Sequence, residues 1–319
     1  MPFPLVLEER LAVPAIASPM FLTSGPDLVV ETCAGGILGT FPALNQRSSN
    51  GFRDWLHEIR ERLLPEENPA PFGVNLIVHK SNSRLEADLQ ICVEEKVPVI
   101  ITSLGAVPEL VKRVHDYGGL VFHDVINIRH ARKAAEAGVD GIIAVSAGAG
   151  GHAGTLNPFA VVSEIRAFFG GTIILAGAIN TGAQVAAARM MGADLAYLGT
   201  RFLATQESLV QNGYKKMILD SQAADILYTS RISGVGANFL RPSIIAAGLD
   251  PEHLDHAGEL DMESEAKVWK DIWSAGQGVG GISDLPKARD LCCRLREEYV
   301  ATLEKAGADV AALKEKALD

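Results

Sequence analysis

A chain of 319 residues, 48% hydrophobic and 21% charged, can bury a sizeable core as one large domain or two modest ones. Its formal net charge of -10 argues against a nucleic-acid surface or a basic membrane patch, yet leaves room for a small anionic substrate at a locally favourable site. No apolar run reaches the length of a membrane span, and the first residues lack the basic and long apolar regions of a secretion signal.

Cys33, Cys92, Cys292 and Cys293 have neither metal-ligand nor disulfide spacing, so a soluble protein of the reducing cytoplasm is the expectation. Through the first two-thirds, apolar runs alternate with helical patterns. Strand 15–18 precedes helix 26–33, and strand 36–39 precedes helix 51–64. In that second helix Phe52, Trp55, Leu56, Ile59 and Leu63 recur at helical spacing and form a core face. The pattern continues with strand 72–77 and helix 83–95, strand 97–102 and helix 107–117, strand 119–123 and helix 128–137. Strand 141–145 leads to helix 158–169, strand 172–176 to helix 181–191, and 193–198 is the eighth strand.

Eight such units predict an α/β fold, a (β/α)8 TIM barrel, rather than a doubly wound open sheet. Glu136-Ala-Gly-Val-Asp-Gly141 and Met191-Gly-Ala-Asp194 support it. Each sets a helix-ending glycine, an apolar residue and an Asp ahead of a strand. After Thr200 the pattern changes: helix over 206–221, extended chain over 224–235, loop and short helix over 237–258, a charged helix over 255–270. A glycine-rich loop, 274–281, and one or two helices over 286–318 follow. The expected organisation is a barrel of residues 1–204 and 273–319, with a small substrate-covering lobe, 205–272, near the C-terminus.

Barrel enzymes build their sites from the loops after the strands. Here those loops deliver Ser18, Pro19 and Met20; Asn75; Thr102 and Ser103; His123 and Asp124; residues 146–154; residues 176–180; and Gly199, Thr200 and Arg201. The sixth loop, Ser146-Ala-Gly-Ala-Gly-Gly-His-Ala-Gly154, carries four glycines and one titratable group, His152. Bare backbone can lie against a flat ligand, and an imidazole titrates nearest neutrality, so this loop is the candidate for close binding and proton transfer. Gly177, Gly199 and Thr200, in the seventh and eighth loops, suit a phosphate cradle. Neither a Walker loop nor a dinucleotide fingerprint is present, which favours a mononucleotide such as FMN. No carboxylate–histidine cluster has metal-ligand spacing. His123 either faces substrate or is a rim residue. Arg201 either helps hold an anion or pairs with the barrel.

Pro19-Met20, Gly73-Val-Asn75, Gly150-Gly-His-Ala-Gly154, Ala176-Gly-Ala-Ile179, Leu198-Gly-Thr-Arg-Phe202 and Ala275-Gly-Gln277 occur in this order. Together they resemble the nitronate monooxygenase (2-nitropropane dioxygenase) family, to which flavin enoyl-ACP reductases are related. The resemblance runs from about residue 10 to 285. It implies FMN at the strand ends, with its phosphate at Gly177, Ala178, Gly199 and Thr200 and its ring near Pro19, Met20 and Asn75. Ser18, Ser146, Gly151, Ala176 and Leu198 complete the expected cofactor contacts. His152 would be the base or proton donor, with His123 and Gln277 toward substrate. Two departures bear on the flavin edge: Ser146 stands where members often carry Gln or Asp, and Gly148 where they carry Glu. The implied activity is oxidation of alkyl nitronates, or of nitroalkanes, with molecular oxygen. The alternatives are an NAD(P)H-dependent flavin reductase acting on a quinone or enoyl thioester, and a phosphate-binding barrel without redox activity. Nucleic acid and membrane are not expected partners, and a homodimer is an open arrangement.

Overall fold

The computed structural model describes residues 4–254 and 269–316. In chain order the strands are β1 (Ala15–Ala17), β2 (Leu38–Pro42), β3 (Phe72–Ile77), β4 (Val99–Ser103), β5 (Leu120–Val125), β6 (Gly141–Val145), β7 (Gly151–His152), β8 (Thr172–Ala176), β9 (Leu195–Leu198), β10 (Ile226–Thr229) and β11 (Ala237–Leu240). All but β7, β10 and β11 pair in parallel and close into an eight-stranded barrel, sealed where Ile16 of β1 aligns with Tyr197 of β9. The predicted (β/α)8 barrel is the fold observed.

Strand alternation divides the barrel residues between two environments. Ile16, Leu38, Val99, Ile101, Phe122, Ile143, Ile174 and Leu195 point inward, and Leu7 of the short α1 (Leu5–Glu8) joins them. Val74, Ile100, Val121, Ile142, Ile173 and Leu175 belong to the larger outer core. There the strands meet α2 (Pro26–Ala34), α3 (Ser49–Leu63), α4 (Leu85–Glu94), α5 (Pro108–His115), α6 (Ile128–Glu136), α7 (Pro158–Arg166) and α8 (Gly182–Met190). Side chains cap several of these helices at strand-end loops. Asn127 accepts from His130 N–H ahead of α6, and Thr181 and Gln184 form a capping box on α8. The repeated Asp before a strand also has a mechanical role. Asp140 accepts the backbone N–H of Val121 at 2.8 Å, and Asp194 that of Ile173 at 2.8 Å, each stitching its strand to the preceding one.

Past the barrel lie α9 (Thr200–Leu203), α10 (Asn212–Asp220), α11 (Arg241–Ala246) and α12 (Ala288–Lys316). The final pattern is one helix, which packs against α8 and α2. Three expectations need correction. The helix expected over 206–221 begins only at Asn212, because the chain before it is held by distant partners. Gln206 N–H donates to Pro286 O, and Leu209 N–H to Thr23 O. The extended stretch 224–235 is a strand only over β10; a turn with Gly234 at φ +77 then reverses the chain. The loop expected from 237 opens instead with β11, antiparallel to β10. Most of the expected helix 255–270 lies outside the described residues, as does His256. β11 also pairs with β7, giving a three-stranded sheet, β10-β11-β7. No helix among the described residues is long and apolar enough to cross a membrane.

Candidate active site

A cavity of about 650 Å³ opens at the carboxyl ends of the barrel strands, within the usual range of ligand sites. Ser18, Pro19, Met20 and Asn75 line one side of it. His123, Gly151 and His152 line another, and Ala176, Gly177, Ala178, Gly199 and Thr200 a third. Three predicted residues are not part of the lining. Ser146 is fully buried, its hydroxyl donating to Ala176 O at 2.6 Å. Leu198 is core, its carbonyl accepting from Ser18 N–H at 2.9 Å. Gln277 is exposed; its backbone N–H donates to Gly148 O at 2.9 Å, and its side chain lies against Gly148.

The glycine loop is shaped by backbone contacts more than by space for a ligand. Gly148 and Gly151 have φ of +88° and +70°, conformations that favour glycine. At Gly150 a Cβ would come within 2.9 Å of Gly276 N, so the two bare loops press backbone to backbone. Asn238 Nδ2 donates to Ala149 O at 2.6 Å. The result is that His152 stands in β7, opposite Ala237 of β11, rather than in a free loop. Its ring meets the Trp269 indole edge-on, centroids 5.6 Å apart, and Trp269 stacks on Phe239 at 5.0 Å.

The inner faces of β3, β4, β5 and β9 turn polar at the cavity floor. Two residues beyond inward-facing Ile101, Phe122 and Leu195 come Ser103, Asp124 and Tyr197, and Asn75, in register with Ile101, lines the same floor from β3. Asn75 Nδ2 donates to Ile101 O at 3.2 Å and to Ser103 Oγ at 2.8 Å. Ser103 Oγ in turn donates to Asp124 Oδ2 at 2.5 Å. Asp124 Oδ1 is shut off from solvent and has no hydrogen-bond partner. Burial raises the Asp124 carboxyl to about 6; the Ser103 hydrogen bond and the charge of His152 oppose that rise. His123, on the opposite face of β5, is buried with Nδ1 2.7 Å from Thr102 Oγ1. Burial, then the charge of His130, lowers it to about 4, so it is a neutral ring at physiological pH.

The third wall combines three loops. Ala178 adopts φ +54°, and a Cβ on Gly177 would collide with Ser146 Oγ. Thr200 Oγ1 accepts from Gly276 N–H at 2.9 Å, which leaves its own proton to donate into the cavity. Arg201 is buried and turned away, bound to Asp284 at 3.0 Å and to Ala204 O at 2.9 Å; it braces the barrel and does not line the cavity. Of the other histidines, His57 pairs with Glu95 and His115 with Asp140, both outside the cavity; exposed His130 and Lys133 sit at its mouth. Tyr197 and Trp269 were not among the residues singled out from sequence, and Ser103 and Asp124 were named as strand-end residues without a role. For Asp124 and Ser103 the signal existed, a polar residue two positions beyond an inward apolar one at a strand end. For Trp269 there was none.

Such a barrel, with a glycine-walled cavity and acid–base side chains at its strand ends, is built as a (β/α)8 enzyme, and its family places it among the oxidoreductases. The nitronate monooxygenase family model matches residues 8–295, and the chain belongs to that family. It is 26% identical to a nitronate monooxygenase of Paraburkholderia phytofirmans, covering 92% of this chain and 93% of the relative. It is also 26% identical to an indene-carboxyl-CoA dehydrogenase of Rhodococcus jostii, over 77% of this chain and 66% of the relative. The structure of a nitroalkane oxidase from Streptomyces ansochromogenes superposes with a TM-score of 0.83 at 23% identity, covering 94% of this chain and 99% of that one; this likeness is one of fold. Family membership implies a flavin cofactor and a small-molecule substrate.

Proposed function

We propose that the protein is an FMN-dependent oxidase of alkyl nitronates, and of the parent nitroalkanes, with molecular oxygen as acceptor. The observation that carries this reading is His152, held by β7 and Trp269 in the wall of a glycine-lined cavity of flavin-compatible size. The residues present fit the cofactor. The side-chain amide hydrogens of Asn75 are committed within the protein, so its Oδ1 is the atom left to accept a hydrogen bond from a ring N–H. Thr200 retains a hydroxyl proton, and Gly199 supplies backbone without a side chain where a phosphate would be held, together with Gly177 and Ala178. Pro19, Met20 and Asn75 would hold the ring. When bound, the flavin supplies the redox chemistry, taking electrons from substrate and passing them to oxygen.

The chain's own work is binding, water exclusion and proton handling. A neutral nitroalkane must lose a Cα proton, and His152 Nε2 or Nδ1 is the acceptor in this reading. A preformed nitronate has already lost it. Residues 205–272 would cover the substrate. The direct test is anaerobic mixing with a nitronate, NADH or NADPH while flavin absorbance is followed. Bleaching by nitronate and recovery on adding oxygen is expected; bleaching by NAD(P)H alone would overturn the proposal. A second reading, reduction of an enoyl thioester at the expense of NAD(P)H, draws on His130 and Lys133 at the cavity mouth, where they would meet an anionic carrier arm.

A further inference from the structure

We propose that Arg294 and Glu298, one turn apart on α12, are positioning residues for the cofactor phosphate: Arg294 holds the eighth loop through Asp284 and Arg201, and Glu298 holds the seventh through the start of α8. This rests on the reading of Gly177, Ala178, Gly199 and Thr200 as the phosphate cradle. Neither Arg294 nor Glu298 lines the cavity, so each acts through other residues.

Thr200 opens α9, a helix of four residues, far shorter than helices that stand alone in water. Arg201 supplies what such a helix lacks. Its Nη2 donates to Ala204 O, just past the end of α9, and to Asp284 O, both at 2.9 Å, while Nη1 donates to Asp284 Oδ1 at 3.0 Å. The Asp284 carboxylate is gripped from its other side by Arg294, whose Nη1 donates to Oδ2 at 2.8 Å. The chain of ion pairs that begins beside Thr200 thus ends on α12, which packs along α8 and α2.

One turn further along α12, Glu298 Oε2 accepts the backbone N–H of Gly182 at 2.7 Å. Gly182 is the first residue of α8, and its N–H is among those a helix leaves unpaired at its start. The fit there is close: a Cβ on Gly182 would strike Leu295 O and Tyr299 N. Ala178, held at φ +54°, lies in the loop that runs directly into this helix start. The segment ahead of Asp284 ties the two loops together, with Gly276 N–H donating to Thr200 Oγ1 at 2.9 Å and Asn180 Nδ2 to Gly278 O at 2.5 Å. Arg201, Arg294, Asp284 and Glu298 balance in charge, so the group works by fixing geometry rather than by adding a field. Donors that converge on a phosphate depend on that geometry. Pro19 and Met20 follow β1 and Asn75 belongs to β3, so the residues read as the ring site have no link to this anchor.

The test is a competition on the full-length protein. It is equilibrated with equal amounts of FMN and riboflavin, which has the same ring and ribityl chain but no phosphate, and the retained flavins are separated and quantified. Wild type should retain FMN in excess. In Arg294→Ala and in Glu298→Ala the FMN-to-riboflavin ratio should fall about tenfold, the worth of one hydrogen bond. In the double variant it should fall about 100-fold, because the two hold different loops. Arg294→Lys and Glu298→Gln, which keep a donor and an acceptor in place, should recover most of the ratio. Riboflavin affinity measured alone should stay near wild type throughout. A ratio unmoved in both alanine variants overturns the proposal, and so does an equal loss of both flavins, the result of a purely structural role. A wild type that retains the two flavins alike overturns the cradle reading itself, and the proposal with it.

Discussion

Gly151 donates its backbone N–H to Ser274 Oγ at 2.6 Å, joining two glycine-rich loops that lie 123 residues apart. Ser274 passes its own proton to Asn238 O at 2.6 Å, and Asn238 is the β11 residue aligned with Gly151. One hydroxyl thus fixes both β7 and β11, and with them the backbone that carries His152.

Ser274→Ala should therefore act on chemistry from a distance. It leaves a buried acceptor and a half-buried donor unsatisfied, a cost of about 1–3 kcal/mol in stability. Flavin content should hold. Turnover of a neutral nitroalkane should fall by about tenfold or more, since small misplacement of a base is costly. Thermal unfolding and kcat measured on the same preparation check both effects.

For the cradle, Thr200→Ala should weaken FMN retention by about 10–100-fold, the equivalent of one hydrogen bond to a charged partner. Thr200→Ser should retain it. Gly177→Val is not a clean probe, because its Cβ would strike Ser146 Oγ rather than a ligand. Gly199→Ala is cleaner. Its φ is ordinary at -106°, and its methyl would meet Ser18 Oγ at 2.9 Å and otherwise little protein. Fluorescence titration of FMN into the apoprotein of each variant measures the loss.

Two buried groups should give opposite pH signatures. Asp124 binds its proton more tightly when folded, with a midpoint of about 6, so it costs stability progressively as pH rises from about 4 to about 6. In the apoprotein Asp124→Asn should be the more stable form above that window, by up to about 3 kcal/mol, and lose the advantage below it. His123 is neutral when folded down to about pH 4, whereas an unfolded imidazole protonates below about 6.5. It therefore contributes stability above that window which is lost as pH falls through it. His123→Gln should flatten the acid side of the stability curve. Denaturant midpoints between pH 4 and 8 report both slopes.

The barrel was legible because its strands carry local signals: short apolar runs, several of them just after a helix-ending glycine, closed by loops of chemistry-bearing residues. Local information sufficed for the barrel strands and their helices between Ala15 and Leu198, with boundaries shifting by up to three residues. For β7 and for the chain beyond Thr200 it did not suffice. β7 is two residues long and exists only because β11 pairs with it, a non-local contact that leaves no periodic trace. Ser146 illustrates the same limit at the site. Its place in the loop suggested a flavin contact, yet its hydroxyl is spent on Ala176 O across the β6–β8 seam. Asp124 was visible as a strand-end carboxyl, but its hydrogen-bond chain required the register that sets Asn75 beside Ile101 and Thr102 beside His123.

The central claim, that His152 is the base, is tested most directly by comparing His152→Asn with wild type on a neutral nitroalkane and on its preformed nitronate. Asn keeps polarity and nearly the size of the ring, so fold and flavin content should survive. Nitroalkane turnover should fall by about 10²–10⁴, the usual contribution of a positioned base, while nitronate turnover falls much less. Wild-type rates on both substrates, or an equal loss on both, would contradict the account.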